Sequence, residues 1–203
     1  MAEARRLILA SGSSARKAML SAAGIAFDVV PADIDEAAIK NQMLVDGSCV
    51  EGSDIALKLA AEKALCVARQ YPDALVIGSD QVLTLGSRSF SKAKDRDEAW
   101  MTLKALRGQT HALTSAVALA EGSTVVWQIS QTAYLKMRTF SDAFLDAYIA
   151  KAGPCLTQSV GAYEFEGLGS QLFESVEGDY FTILGMPLLP LLEELRKREM
   201  LAA

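Results

Sequence analysis

The stretch Leu7-Ile8-Leu9-Ala10-Ser11-Gly12-Ser13-Ser14-Ala15-Arg16-Lys17-Ala18-Met19-Leu20 constrains this chain more than any other. Four apolar residues read as a buried strand and the Ser/Gly cluster as a tight loop. The Ala/Met/Leu run behind them reads as a helix whose first turns carry two cations. A helix N-terminus offers free backbone N–H groups and a partial positive charge, which is the layout of a phosphate cradle. Gly12 lets a ligand approach the backbone, and Arg16 can fork onto two phosphate oxygens. A strand turned by glycine and capped by serine accounts for the same residues, so both readings stand at this point.

The rest of the composition narrows the ligand. With 203 residues and a net charge of −5, acids and bases are interspersed and no basic face suited to a nucleic-acid polymer is visible. A small phosphorylated molecule held by a few local cations fits better. The apolar content is ample for a core, and residues 1–203 are expected to form a single domain. The first apolar run is too short for a signal-peptide core and no later segment reads as a membrane span, so a soluble, cytoplasmic protein without a membrane partner is expected. Cys49, Cys66 and Cys155 are widely spaced and never paired as C-x-x-C, and His111 is the sole histidine, which argues against zinc or a disulfide framework. His111 itself reads as a strand residue with a local hydrogen bond, because nothing beside it in sequence orients it as a base.

Along the chain, Gly24 reads as a helix stop and Ile25–Val30 as a second strand. Asp33, Asp35 and Glu36 follow it; in extended chain the two aspartates share one side and Glu36 takes the other. Residues 40–53 read as a loop with at most one helical turn. Ser53-Asp54 reads as the cap of a helix over Ile55–Gln70. On that helix Lys58, Glu62 and Arg69 share a polar face, whereas Lys63 sits among Leu59, Ala60, Cys66 and Val67. A lysine there snorkels or meets an anion. Ala74–Gly78 reads as a short buried strand running into Ser79-Asp80-Gln81, which places a carboxylate at the carboxyl end of a strand, where ligands collect in open α/β sheets. Asp95 caps a helix over Arg96–Leu106, with Lys92 on the loop before it. A long hairpin turns at Glu121-Gly122, and Ser141 caps the next helix. In Gly161-Ala162-Tyr163-Glu164-Phe165-Glu166-Gly167-Leu168-Gly169, acids and aromatics alternate, which puts Glu164 and Glu166 on one face. Pro187 starts the last helix.

Summed, the cations Arg16, Lys63 and Lys92 and the acids Glu36 and Asp80 stand at element ends or on unexpected faces. Mg²⁺ takes one or two carboxylates plus substrate phosphates, and phosphoryl transfer needs positioning, charge neutralisation and an oriented water. No glycine loop ends in Gly-Lys-Ser/Thr and no G-x-G-x-x-G occurs, so P-loop and dinucleotide folds are excluded.

The motifs in order resemble the Maf family, the septum-formation-inhibitor-like nucleoside triphosphate pyrophosphatases. Leu9-Ala10-Ser11-Gly12-Ser13-Ser14-Ala15-Arg16 resembles its L-A-S-x-S-P-R-R signature. Asp35-Glu36, Ala61-Glu62-Lys63-Ala64, Gly78-Ser79-Asp80-Gln81-Val82, Ser91-Lys92, the Gly-Gln-Thr-His turn at 108–111, Glu166-Gly167-Leu168-Gly169 and Leu184-Gly185-Met186-Pro187 follow at matching separations. The resemblance implies an elongated mixed β-sheet flanked by helices, of the Maf/ITPase-like α/β kind, with two lobes and a cleft between them. It implies cleavage of the α–β phosphate bond of a nucleotide with a divalent metal, Mg or Mn, and often a homodimer. Carried over residue by residue, it assigns phosphate binding to Ser11, Arg16, Lys63 and Lys92, metal contact to Glu36 and Asp80, and the general base to Asp80. Gln81, Glu166, Leu172-Phe173-Glu174 and Glu177-Gly178-Asp179 resemble the branch acting on 7-methyl-GTP. Ala15 departs from both branches, standing where the dTTP/UTP branch has arginine and the 7-methyl-GTP branch a large aromatic. A dTTP/UTP-type enzyme and a regulator of cell division that binds nucleotides without turnover are the alternatives.

Overall fold

Residues Leu75–Leu85 form one uninterrupted strand, and their alternation sorts the molecule into layers. Leu75 and Ile77 pack with Val117, Leu119, Leu20 and Leu191 on one face. Val76 packs with Ala116, Ala118 and Ala120 on the other, against Ala56, Leu59, Ala60 and Ala64. Beyond the middle of the strand, Leu83 enters a separate core with Leu103, Leu113, Leu135 and Leu145.

The computed structural model describes residues 5–45 and 50–202. In chain order the elements are β1 (Leu7–Leu9), α1 (Ser14–Ala22), β2 (Asp28–Val29), α2 (Glu36–Val45), α3 (Gly52–Ala68), β3 (Leu75–Leu85), β4 (Arg88–Phe90) and α4 (Arg96–Leu106). They continue with β5 (Thr110–Glu121), β6 (Thr124–Met137), α5 (Asp142–Ala152), α6 (Cys155–Gln158), a 3₁₀ turn (Leu168–Leu172), β7 (Phe173–Glu177), α7 (Tyr180–Ile183) and α8 (Leu188–Lys197). The sheet runs β2-β1-β3-β5-β6-β7, with β4 pairing the far end of β3. β1 is parallel to β2 and β3, and the remaining pairs are antiparallel. This is the mixed α/β sheet expected from the sequence. Among the described residues no helix is long and apolar enough to cross a membrane.

Helix α3 lies unusually close to the sheet, and the reason is side-chain size. Ala56, Ala60, Ala64 and Ala68 recur every fourth residue, are fully buried, and form a smooth ridge. Opposite them stands Gly78, where an added Cβ would lie 2.1 Å from the Ala60 carbonyl oxygen and 2.6 Å from Ala64 N. Glycine is therefore required by close approach, and that approach brings Lys63 over the strand.

Ser13, Asp95 and Ser141 cap α1, α4 and α5 as their sequence predicts. Other expectations are corrected. The second strand shrinks to Asp28–Val29, and helix α2 (Glu36–Val45) takes residues 40–45 of the expected 40–53 loop. Glu36 thus opens a helix instead of pointing away in extended chain, while Asp35 Oδ1 accepts from Ala38 N at 2.9 Å. Helix α3 begins earlier than Ser53-Asp54 predicts: Glu51 is its N-cap, with Asp54 Oδ2 accepting from Glu51 N at 3.2 Å. Cys49 lies outside the described residues, and Cys66 and Cys155 are free thiols.

Candidate active site

Asp80 lies in the middle of β3, not at a strand end, because Gln81–Leu85 continue the pairing with β5. The expectation holds in altered form: β1, the parallel neighbour, stops at Leu9, so Asp80 sits just past the carboxyl end of the adjacent strand. As an even-numbered residue it points to the α3 face. There Lys63 Nζ donates to Asp80 Oδ1 at 2.6 Å and pairs with Glu36 Oε1 at 2.7 Å. Lys63 and Asp80 keep 12% and 7% of their side-chain exposure, whereas Glu36 keeps 46%, so the ammonium joins an inner to an outer carboxylate. Burial pushes the Glu36 carboxyl up, but its bond to Lys63, together with the charges of Lys63, Lys40 and Lys92, brings it below its ordinary value.

On the other face the glycine-serine loop places Arg16. Its Nε donates to the Gly185 carbonyl at 2.9 Å and its Nη1 to Ser11 Oγ at 3.1 Å. Ser11 Oγ also accepts from Ser13 N, so the loop folds around its own hydroxyl. Gly185 has φ of +107°, a conformation that glycine adopts without strain, which turns its carbonyl toward Arg16 and toward Ser79 Oγ at 3.1 Å. Burial pulls the Arg16 guanidinium below its ordinary value, and the negative charges of Asp80 and Glu36 oppose that pull.

Gln81 points to the same face as Ser79. Its Nε2 donates toward the carbonyls of Thr182 at 3.1 Å and Ile183 at 3.0 Å, while Ser115 Oγ donates to Thr182 O at 2.7 Å. These side chains add donors to the carbonyls at the end of α7, where Thr182 O also accepts from Gly185 N at 3.1 Å.

These groups border a cleft of about 530 Å³ lined by Ser11, Ala15, Arg16, Glu36, Lys63, Gln81, Lys92, Glu164, Phe165 and Glu166, among others. It lies where the two halves of the molecule meet, taking residues from the loop after β1, from α1 and from α3 on one side and from 157–166 on the other. Lys92 is exposed at the rim, its backbone bridged to Val160. Partial burial and the like charge of Arg16 hold Lys92 below the usual lysine range, with Lys63 adding to them against Glu36 and Asp80. Of the residues expected to bind substrate or metal or to catalyse, Ser11, Ala15, Arg16, Glu36, Lys63, Gln81, Lys92 and Glu166 border this cleft, and Asp80 lies beneath Lys63. Glu164 and Glu166 both reach the cleft from a turn, not from an extended strand, since Gly161 and Ala162 reverse the chain before them.

Sequence reasoning did not single out Ser79, Ser115, Phe165 or the wall at Thr157–Val160. The pair of left-handed residues at 161–162 is the local signal of the wall, and only the glycine of that pair announces itself. His111 is buried, as expected of a strand residue, and Nε2 shares a hydrogen bond of 2.6 Å with the Tyr163 hydroxyl.

A mixed sheet with a cation-rich cleft facing paired carboxylates defines a phosphate-handling α/β protein. Residues 6–198 match the family model described as Maf-like protein, and the chain belongs to this family. The chain is 50% identical over 191 residues to the 7-methyl-GTP pyrophosphatase of Rhizobium meliloti (strain 1021), covering 94% of this chain and 95% of that protein. It is 46% identical over 196 residues to the nucleoside triphosphate pyrophosphatase of Granulibacter bethesdensis, covering 97% and 98% respectively. It is 45% identical over 194 residues to the 7-methyl-GTP pyrophosphatase of Brucella abortus biovar 1, covering 96% of each.

Proposed function

We propose that this chain, a nucleoside triphosphate pyrophosphatase, hydrolyses the α–β phosphate bond of 7-methyl-GTP with the help of Mg²⁺ or Mn²⁺. The observation that carries the reading is Lys63, held between Glu36 and Asp80 beside a cleft that Arg16 and Lys92 also border. The relatives named as 7-methyl-GTP pyrophosphatases support the choice of base.

The residues fit a divalent metal. Among the described residues no cluster of three or more His, Cys, Asp or Glu forms a complete cage. Glu36 and Asp80 nevertheless converge on one cation, here the Lys63 ammonium, and Mg²⁺ is satisfied by one or two carboxylates with phosphates and water completing the shell. Bound by Glu36 and Asp80, a metal would supply charge neutralisation for the triphosphate. Arg16, pre-positioned by Gly185 and Ser11, grips phosphate oxygens, and Lys92 closes on them from the rim. Triphosphate draws Lys63 outward from its two carboxylates, which uncovers Asp80. Asp80 Oδ2, without a hydrogen-bond partner among the described residues, then accepts a proton from the water whose oxygen attacks the anhydride. The products are the monophosphate and pyrophosphate.

The test is pyrophosphate release with Mg²⁺ from 7-methyl-GTP, GTP, dTTP and UTP at equal concentration. Preference for 7-methyl-GTP is the expected result, and preference for dTTP or UTP assigns the protein to the other branch. Binding that raises the melting temperature without pyrophosphate release makes it a nucleotide-binding regulator.

A further inference from the structure

The following rests on the reading that a nucleoside triphosphate enters the cleft, and concerns the wall that receives its base. Among the described residues that line the cleft, two are aromatic, Tyr163 and Phe165. Tyr163 is already engaged. It is 4% exposed, its hydroxyl is bonded to His111, and its ring meets Phe173 edge-on at 4.9 Å. Phe165 is half-buried, with its ring 5.5 Å from Phe173 and 6.5 Å from Tyr180, and it borders the cleft.

The turn that carries Phe165 is firmly built. Ala162 holds φ of +61° while fully buried, a conformation that L-residues adopt only when their surroundings impose it. Here Ala162 N donates to the Ser159 carbonyl, and the Ala162 carbonyl accepts from Tyr148 Oη at 3.3 Å. Farther on, the Glu164 carbonyl oxygen packs where a Cβ on Gly169 would lie, 2.3 Å away. The ring is thus ordered before any ligand arrives, which lowers the entropy lost on binding. The small side chains of Ala10, Gly12 and Ala15 elsewhere in the lining provide no second ring.

We propose that Phe165 is the stacking platform for the nucleobase, and that Glu164, exposed beside it, joins Glu166 in selecting a base that carries positive charge. A purine alkylated at N7 is cationic. Over an aromatic face it gains a cation–π attraction beyond stacking, and the carboxylates of the two residues that flank Phe165 in the chain and line the same cleft add a further attraction that a neutral purine does not feel. The cleft is then bipolar, with cations for the phosphates and acids for the base.

Calorimetric binding of 7-methylguanosine monophosphate and of guanosine monophosphate tests this without turnover. Phe165→Leu should weaken both by on the order of tenfold, and Phe165→Tyr should restore wild-type affinity. Glu164→Gln should weaken the methylated nucleotide about threefold and leave the unmethylated one unchanged. Unchanged affinity in a natively melting Phe165→Leu protein overturns the platform, and equal effects of Glu164→Gln on both nucleotides overturn the charge selection. If Phe165→Leu does not fold, a nuclear Overhauser contact between the base and the wild-type Phe165 ring decides: its presence supports stacking and its absence overturns it. Loss of the proposed activity would appear separately, as nucleotide binding by the wild type without pyrophosphate release.

Discussion

The ammonium of Lys63 donates to Asp80 Oδ1 at 2.6 Å across the closest junction between α3 and the sheet. Removing that ammonium leaves the buried Asp80 carboxylate without its hydrogen-bonded partner and exposes it to the charge of Glu36. Lys63→Met should therefore lower stability by about 1.5–3 kcal/mol in urea titrations, the range for a lost hydrogen bond to a charged group. It should also lower the rate of pyrophosphate release by on the order of 10²–10³. Asp80→Asn should lose as much activity and less stability, because Lys63 keeps Glu36. Near-wild-type turnover by both variants would remove Lys63 and Asp80 from the chemistry.

Gly78→Ala probes the same junction through the backbone. Its methyl carbon would sit 2.1 Å from the Ala60 carbonyl oxygen, which belongs to the helix and cannot rotate away. Helix α3 must lift, at a cost of about 1–3 kcal/mol or more, and Lys63 lifts with it. Thermal melting should fall and activity should fall with it; Gly12→Ala, with open space around its Cβ position, should leave the melting temperature unchanged.

The parts of this site that were legible in the sequence are those announced by a local conflict. Lys63 lies off the polar face of its own helix, and Asp80 interrupts an apolar strand. The opening loop pairs serine and glycine with an arginine that the fold then buries. Helix caps such as Asp95 and Ser141 were equally legible, since cap and helix are neighbours in the chain. What stayed hidden depends on distant partners. Gln81 reads as one more polar residue in a strand until α7 arrives about a hundred residues later with the Thr182 and Ile183 carbonyls that its amide meets. Helix α2 is not legible because its small and polar residues carry a weak apolar period, and the direction of Glu36 depends on that helix. The position of Asp80 is half legible: the pattern shows the strand, but only the shorter β1 beside it puts a mid-strand residue just past the carboxyl end of a neighbouring strand.

Gln81 gives a prediction with a pH signature. In Gln81→Glu a carboxylate oxygen replaces the amide nitrogen against the Thr182 and Ile183 carbonyls, which then meet repulsion instead of a donor. The variant should be less stable by about 1–3 kcal/mol at neutral pH. The gap should narrow as pH falls toward about 4.5, where a protonated carboxyl regains a donor. Because Arg16 leans on Gly185 just beyond α7, the KM for nucleotide should rise at neutral pH and recover in the same direction. Melting curves and KM at neutral and acid pH measure both effects.

His111 supplies a second pH dependence, of separate origin. Burial lowers its pKa from 6.5 to about 4; Nδ1 has no hydrogen-bond partner among the described residues, and Nε2 is shared with the Tyr163 hydroxyl. Between those two values the unfolded chain takes up a proton that the folded chain refuses. Stability must therefore fall as pH drops from about 6.5 to about 4, with no further loss from this group below that point. At about 1.36 kcal/mol per pKa unit, the contribution is on the order of 3 kcal/mol across the window. The double variant His111→Phe/Tyr163→Phe removes the titrating ring and the hydroxyl it would orphan, while keeping the aromatic packing around Phe173. Urea titrations at pH 7 and 4.5 should show the wild type losing on the order of 2–3 kcal/mol more than the double variant, and parallel losses would show that the imidazole is not held neutral.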